Sequence, residues 1–252
     1  MSTRTLRALV LFVGLHAVGC NALDIGRPPP PTAEEYGRGL IVFYPGSSNM
    51  YIESIGFYNA FKEAGVDQAI EVVPWSGFLT HQVFPETEVP AILEFARQEA
   101  ARLAEYIRDH PKCPVTILTY SGGALMALET AAAMPADTPV DRVITMSPGL
   151  WRDYDLGRAL DGTTQGVLYY WSPQEENVEL VAAVFGTADG HFEMAAAGFG
   201  FSYQDPRLIE VVWTPEMAAL GNNGGHLDYI VNIEFIKAVV VPWLATHRVE
   251  PT

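Results

Sequence analysis

Residues Pro114–Ala133, PVTILTYSGGALMALETAAA, constrain this chain more than any other stretch: an apolar run of strand length passes through Tyr120-Ser121-Gly122-Gly123 straight into an apolar helix. A buried strand that feeds directly into a buried helix belongs to a layered α/β arrangement. Ser121 stands at the corner. A tight strand-to-helix turn projects such a hydroxyl out of the sheet and leaves the first amides of the helix free to bind an anion. Glycine follows the serine at plus two, but Thr119 stands at minus two, where glycine usually relieves crowding between strand and helix. Thr119 therefore predicts a wider approach or a small neighbour opposite. A plain Ser-Gly-Gly turn between two core elements would look the same in isolation, so the rest of the chain decides.

Strand and helix alternate on both sides of this corner. Gly39–Tyr44 (GLIVFY), Ala69–Val73, Val140–Ser147, Gly166–Trp171 and Leu208–Trp213 read as further strands, apolar enough to be covered on both faces. Tyr51–Ala64, Ala91–His110, Asn177–Phe185 and an apolar segment after Tyr229, kinked at Pro242, read as helices. With 252 residues, 49% of them hydrophobic, the chain can build one layered core. The expected fold is a doubly wound, mostly parallel α/β sheet of about six strands flanked by helices, occupying residues 39–252. Trp75, Phe78, Trp151 and Tyr154, in or beside irregular segments, are candidates for a pocket mouth. Gly149–Gln165 is too short for a full cap domain, which predicts a shallow, open pocket.

The N-terminus differs in kind. Arg4 and Arg7 precede the apolar run Ala8–Val18, too short for a spanning helix and followed by Gly19-Cys20. Residues 1–19 are expected to be an export signal of lipoprotein type, with Cys20 as the lipidated first residue of an envelope- or outer-membrane-anchored protein. Cleavage near Ala22 would instead release a periplasmic or secreted form. Residues 20–38, with Pro28 to Pro31, are expected to be an extended tether. Cys113 reads as a packing residue, and His81 has no metal-ligand partner at useful spacing. The formal charge of −15 argues against nucleic acid as a partner, and loss of Arg4 and Arg7 makes it more negative.

Chain order carries the functional argument. Ser121 follows one strand, Glu175 lies just beyond the strand two later, and His226 follows the last strand and precedes the terminal helix. This is the order serine, acid, histidine. Asp189, in a Gly-Thr-Ala-Asp-Gly turn, is the alternative acid, although a helix is expected between it and the strand end. Pro45-Gly46-Ser47-Ser48-Asn49, at the end of the first strand, is placed to supply a second anion-binding amide from Ser47 beside that of Gly122. The same loop also reads as an ordinary helix N-cap.

In IVFYPGSSN, ILTYSGGALMALE, YYWSPQEENV, FGTADG and GNNGGHLDYIVNIEFI, from Gly39 to Leu244, the chain resembles the α/β-hydrolase superfamily, specifically exported bacterial members with little or no cap. Carried over residue by residue, the resemblance implies Ser121 as nucleophile, His226 as base, Glu175 as acid, and the amides of Gly122 and Ser47 as the oxyanion hole. Glutamate stands where such families more often have aspartate. The activity implied is hydrolysis of a small ester through an acyl-enzyme, without metal or cofactor. Two other readings share the sequence: an acyltransferase with the same triad, and a non-catalytic binding lipoprotein on the same fold.

Overall fold

The computed structural model describes residues 26–75, 85–175 and 186–246. The export signal, Cys20, Phe78, His81 and the helix expected over Asn177–Phe185 lie outside the described residues. Six parallel strands, β1 (Leu40–Tyr44), β2 (Ala69–Val72), β3 (Val115–Tyr120), β4 (Arg142–Met146), β5 (Val167–Trp171) and β6 (Leu208–Val212), form one sheet in the order β2-β1-β3-β4-β5-β6. All residues of β1 and β3 are buried, which is why their sequences are unbroken apolar runs with only threonines interposed.

Helices cover both faces. They are α1 (Ala33–Tyr36), α2 (Ile55–Glu63), α3 (Pro85–Asp109), α4 (Gly123–Ala132), α5 (Gly157–Asp161), α6 (Ala196–Phe199), α7 (Asp228–Val231) and α8 (Ile233–Phe235). Leu40, Val42 and Tyr44 of β1 join the core beneath α3 and α4, whereas Ile41 and Phe43 join Phe57 and Phe61 of α2 and Phe235 on the other face. This is the period of two expected of a strand that serves two cores. The chain runs outward from β1 to β2 and then crosses back to β3, so the connections leaving β1 and β3 part on opposite sides. In open α/β sheets the crevice at that switch, outside the carboxyl ends of the strands, is where sites form.

Three expectations are modified. Part of the stretch expected to be an extended tether is packed on the domain: Thr32 and Glu35 cap each other at the start of α1, and the Tyr36 hydroxyl donates to Glu71 at 2.5 Å. The Tyr106 hydroxyl donates to the Tyr36 carbonyl, and Cys113 Sγ lies 3.1 Å from the Gly37 carbonyl oxygen. Helix α3 starts at Pro85 and takes in Pro90, whose missing N–H falls early in a 25-residue helix. The terminal helix is broken at Asn232 (ψ 95) and continues as a π-turn (Ile236–Val240) and a 3₁₀ turn (Val241–Trp243) holding Pro242.

Candidate active site

The loops that leave the carboxyl ends of β1, β3, β4, β5 and β6 converge, bringing together residues from five strands that are neighbours in the sheet. At the centre Ser121 adopts φ 54, a left-handed conformation that costs a non-glycine residue roughly 1–2 kcal/mol. Among the described residues only Asn49 (φ 55) and Ser147 (φ 50) are the other non-glycines with positive φ, and both lie on these same loops. Such concentration of backbone strain marks functional loops more often than structural ones. The Ser121 amide donates to the Met146 carbonyl at 2.9 Å, and the Ser121 carbonyl accepts from the amides of Ala124 and Gly149 at 3.1 and 3.0 Å.

Two glycines let the corner close. A Cβ on Gly46 would sit 3.1 Å from Ser121 Cβ, and one on Gly149 would sit 3.1 Å from the Gly122 amide nitrogen. The small neighbour that Thr119 requires is Gly123, where a Cβ would lie 2.5 Å from Thr119 Oγ1 and 2.3 Å from the Pro45 carbonyl oxygen. Thr119 Oγ1 meanwhile donates to the Tyr44 carbonyl at 3.0 Å. The plus-two glycine of the motif thus supplies the space that Thr119 needs across the strand–helix contact.

Ser121, His226 and Glu175 form a connected line. His226 Nε2 is 2.9 Å from Ser121 Oγ, and His226 Nδ1 is 2.8 Å from Glu175 Oε2. The glutamate is 2% exposed, whereas the histidine side chain keeps 23% of its surface in solvent. A histidine so placed has its tautomer dictated by the acid: Nδ1 carries the proton toward Glu175, and Nε2 presents a lone pair to the serine hydroxyl. Tyr120 lies against the imidazole with ring centroids 4.7 Å apart. Its hydroxyl is held protonated far above the usual range, by burial first and then by the carboxylates of Glu53 and Glu175 on either side.

A fourth side chain, not singled out from the sequence, completes the cluster. Ser147 at the end of β4 is fully buried, donates to Glu175 Oε2 at 2.6 Å, and lies 2.5 Å from His226 Nδ1. A hydroxyl that donates to the acid and shares the single Nδ1 proton with it fixes the angle between acid and imidazole. The only trace of it in the sequence is a serine at the carboxyl end of a strand beside the Ser121 strand.

The histidine loop is tied down by its own side chains. Asn222 is buried and accepts from the Gly224 amide at 2.8 Å, while Asp228 Oδ2 accepts from the amides of Asn223 and Gly225 at 3.0 and 3.1 Å. On the opposite side of Ser121, the loop after β1 brings Ser47 against the corner: a Cβ on Gly122 would lie 3.4 Å from the Ser47 nitrogen and 2.0 Å from its Oγ. Among the described residues neither the Ser47 amide nor the Gly122 amide donates a hydrogen bond.

Asp189, the alternative acid, is not part of this line. Its Oδ1 accepts from the Trp151 amide at 3.1 Å, and the Trp151 ring stacks on His191 at 4.3 Å. Trp75 is buried rather than at a mouth, its indole donating to the Pro45 carbonyl at 2.7 Å. Tyr154 points away too, its hydroxyl donating to Glu129 of α4. Irregular segments carry no period from which the direction of an aromatic side chain can be read.

No protein-family model matches the sequence, and no curated protein matches it. Among solved structures the chain is similar to lipase B of Aspergillus fumigatus, at 14% identity and a TM-score of 0.51 over 88% of this chain and 57% of that one. It is likewise similar to the esterase PE8, at 14% identity and a TM-score of 0.50 over 85% and 96%. At these identities the likeness is one of fold. With six parallel strands in this order, helices on both faces and the site at the strands' carboxyl ends, the chain has the α/β-hydrolase fold.

Proposed function

We propose that the protein is a serine hydrolase that cleaves small carboxylic esters through an acyl-enzyme on Ser121. The observation that carries this reading is the continuous line from Ser121 Oγ through His226 to Glu175, with both links at or below 2.9 Å, on a serine held in a strained corner. In the mechanism, His226 Nε2 takes the hydroxyl proton as Ser121 Oγ attacks the ester carbonyl. The carbonyl oxygen becomes an oxyanion, received by the uncommitted amides of Ser47 and Gly122. The imidazolium, stabilised by Glu175, returns the proton to the departing alkoxide, and water repeats the cycle on the acyl-enzyme. Esters are favoured over amides because alkoxide leaves more readily than an amine anion.

The connection between β4 and β5 supports an open site suited to short acyl chains. It folds back on α4, with Arg158 donating to the Ala132 carbonyl and Gly162 packed so closely on the Ala131 carbonyl that a Cβ would lie 1.8 Å from it. The test is labelling with a fluorophosphonate together with hydrolysis of 4-nitrophenyl acetate. A single adduct that vanishes in Ser121→Ala, with turnover falling by about 10⁴-fold or more, is expected; an adduct that survives the substitution would refute the assignment. Export and lipid anchoring at Cys20 remain part of the proposal on the sequence Ala17-Val18-Gly19-Cys20. Membrane association of Cys20→Ser that persists at high salt would count against them.

A further inference from the structure

Glu53 lies in the 3₁₀ turn Tyr51–Ser54 that leads into α2, and nothing in the acyl-transfer steps above uses it. Its two carboxylate oxygens have different partners. Oε2 accepts from the Gly46 amide at 2.7 Å and Oε1 from the Ser48 hydroxyl at 2.5 Å, so one side chain brackets Ser47 from both sides. The ends of the same loop are held by Trp75, whose amide donates to Asn49 Oδ1 at 2.7 Å and whose indole donates to Pro45. Within the loop the Asn49 amide donates to the Gly46 carbonyl at 2.8 Å. Gly46 is wedged between Glu53 and the corner: a Cβ there would be 3.4 Å from Glu53 Oε1 and 3.1 Å from Ser121 Cβ. A displacement of this loop is therefore felt at Ser121.

We propose that Glu53 is a positioning residue for the anion-binding loop, its carboxylate fixing Gly46 and Ser48 so that the Ser47 amide between them is aimed at the oxyanion. The inference rests on the reading of Ser121 as nucleophile. The carboxyl is pushed up to about 7, by burial first, with the Ser48 and Gly46 bonds and the charge of His226 acting in the opposite direction. The groups that face it are Tyr120 of β3 and His226 of the histidine loop. The bracket survives protonation, because a neutral carboxyl still accepts from Gly46 through its carbonyl oxygen and donates to Ser48 through its hydroxyl. Position, more than charge, is what the loop requires.

Glutamine reproduces that bonding, whereas alanine removes it. With 4-nitrophenyl acetate, Glu53→Gln should stay within about fivefold of the parent, the scale of one ordinary hydrogen bond. Glu53→Ala should lose about 10²-fold in kcat with KM little changed, because a misaimed oxyanion donor is missed only in the transition state. If the alanine variant does not fold, Glu53→Asp decides: one methylene shorter, it cannot reach both donors and should lose about tenfold. Retained activity in Glu53→Ala or Glu53→Asp would overturn the proposal, and so would a fall in Glu53→Gln as deep as in Glu53→Ala. Amide hydrogen exchange at Gly46 provides a readout independent of turnover. Protection should be kept in the glutamine variant and lost in the alanine variant, and unchanged protection in Glu53→Ala would sink the bracket. Failure of the hydrolase reading would be seen separately, as turnover that survives Ser121→Ala.

Discussion

Glu53 and Glu175 flank Ser121 from opposite sides, and their hydrogen bonding differs in a way that separates two kinds of buried acid. Glu53 spreads its bonds over both oxygens and holds backbone and hydroxyl groups that never change their protonation. Glu175 concentrates on one: Oε2 serves both Ser147 and His226, and Oε1 has no hydrogen-bond partner among the described residues. A buried carboxylate oxygen without a partner is costly. That cost is offset only if the negative charge is needed, and it is needed whenever His226 becomes an imidazolium. The comparison predicts that neutral replacement should be tolerated at Glu53 and ruinous at Glu175.

Glu175→Gln is the largest test of that asymmetry. The amide can place its oxygen or its nitrogen toward Nδ1 but cannot hold a positive imidazole, and the analogous change in a serine protease costs about 10⁴-fold. A loss of that order at unchanged melting temperature is expected. A Glu175→Gln variant within tenfold of the parent would show that both glutamates are mere scaffolding.

Ser147 should rank next. Removing a hydrogen bond to a charged group weakens an interaction by about 1.5–3 kcal/mol, so Ser147→Ala should lower kcat by roughly ten- to a hundredfold. Because Ser147 has φ 50, Ser147→Gly relieves backbone strain that alanine keeps. The glycine variant should therefore melt higher than the alanine variant while showing the same loss of kcat. Equal activity in all three proteins would reduce Ser147 to a space-filling role.

Asp189→Asn should be nearly silent in turnover, within about fivefold, because its carboxylate serves the Trp151 amide and not His226. The weaker acceptor should cost a few degrees of melting temperature, at about 2–4 °C per kcal/mol for a chain of this size. The reverse pattern, a collapse of kcat at constant stability, would transfer the role of Glu175 to Asp189.

The two glutamates were unequally legible for a physical reason. Glu175 stands at a strand end, and the parallel order of strands converts position in the chain into position around the crevice; Ser121 and His226 follow the same rule. Glu53 sits in a 3₁₀ turn at a helix entry, where an acid looks like any solvated first-turn residue. Only the return of the preceding loop onto it reveals its partners. Ser147 was hidden differently, since its role depends on β4 lying between β3 and β5 and on a backbone dihedral angle that residue type does not encode. The capping box Thr32-x-x-Glu35 was present in the sequence but overshadowed by the prolines before it. Thr119 left two outcomes open, a wider approach or a small neighbour, and the contact with Gly123 is the second of them.

The smallest effect in the comparison concerns stability and pH. Folding raises the Glu53 carboxyl from the ordinary glutamate value of 4.5 to about 7. Between those values the folded chain binds a proton that the unfolded chain has released, so this group favours folding on the acid side. Its contribution is fully present below about 4.5 and is lost as the pH rises through about 7. Glu53→Gln has nothing to titrate there. Its melting temperature relative to the parent should therefore climb from pH 4.5 to 7 and then level off, while the bracket on Gly46 and Ser48 stays in place. Thermal melts at half-unit pH steps would measure the difference directly. If the gap between the two proteins were constant across that range, burial of Glu53 would carry no electrostatic penalty, and the contrast with Glu175 would rest on hydrogen bonding alone.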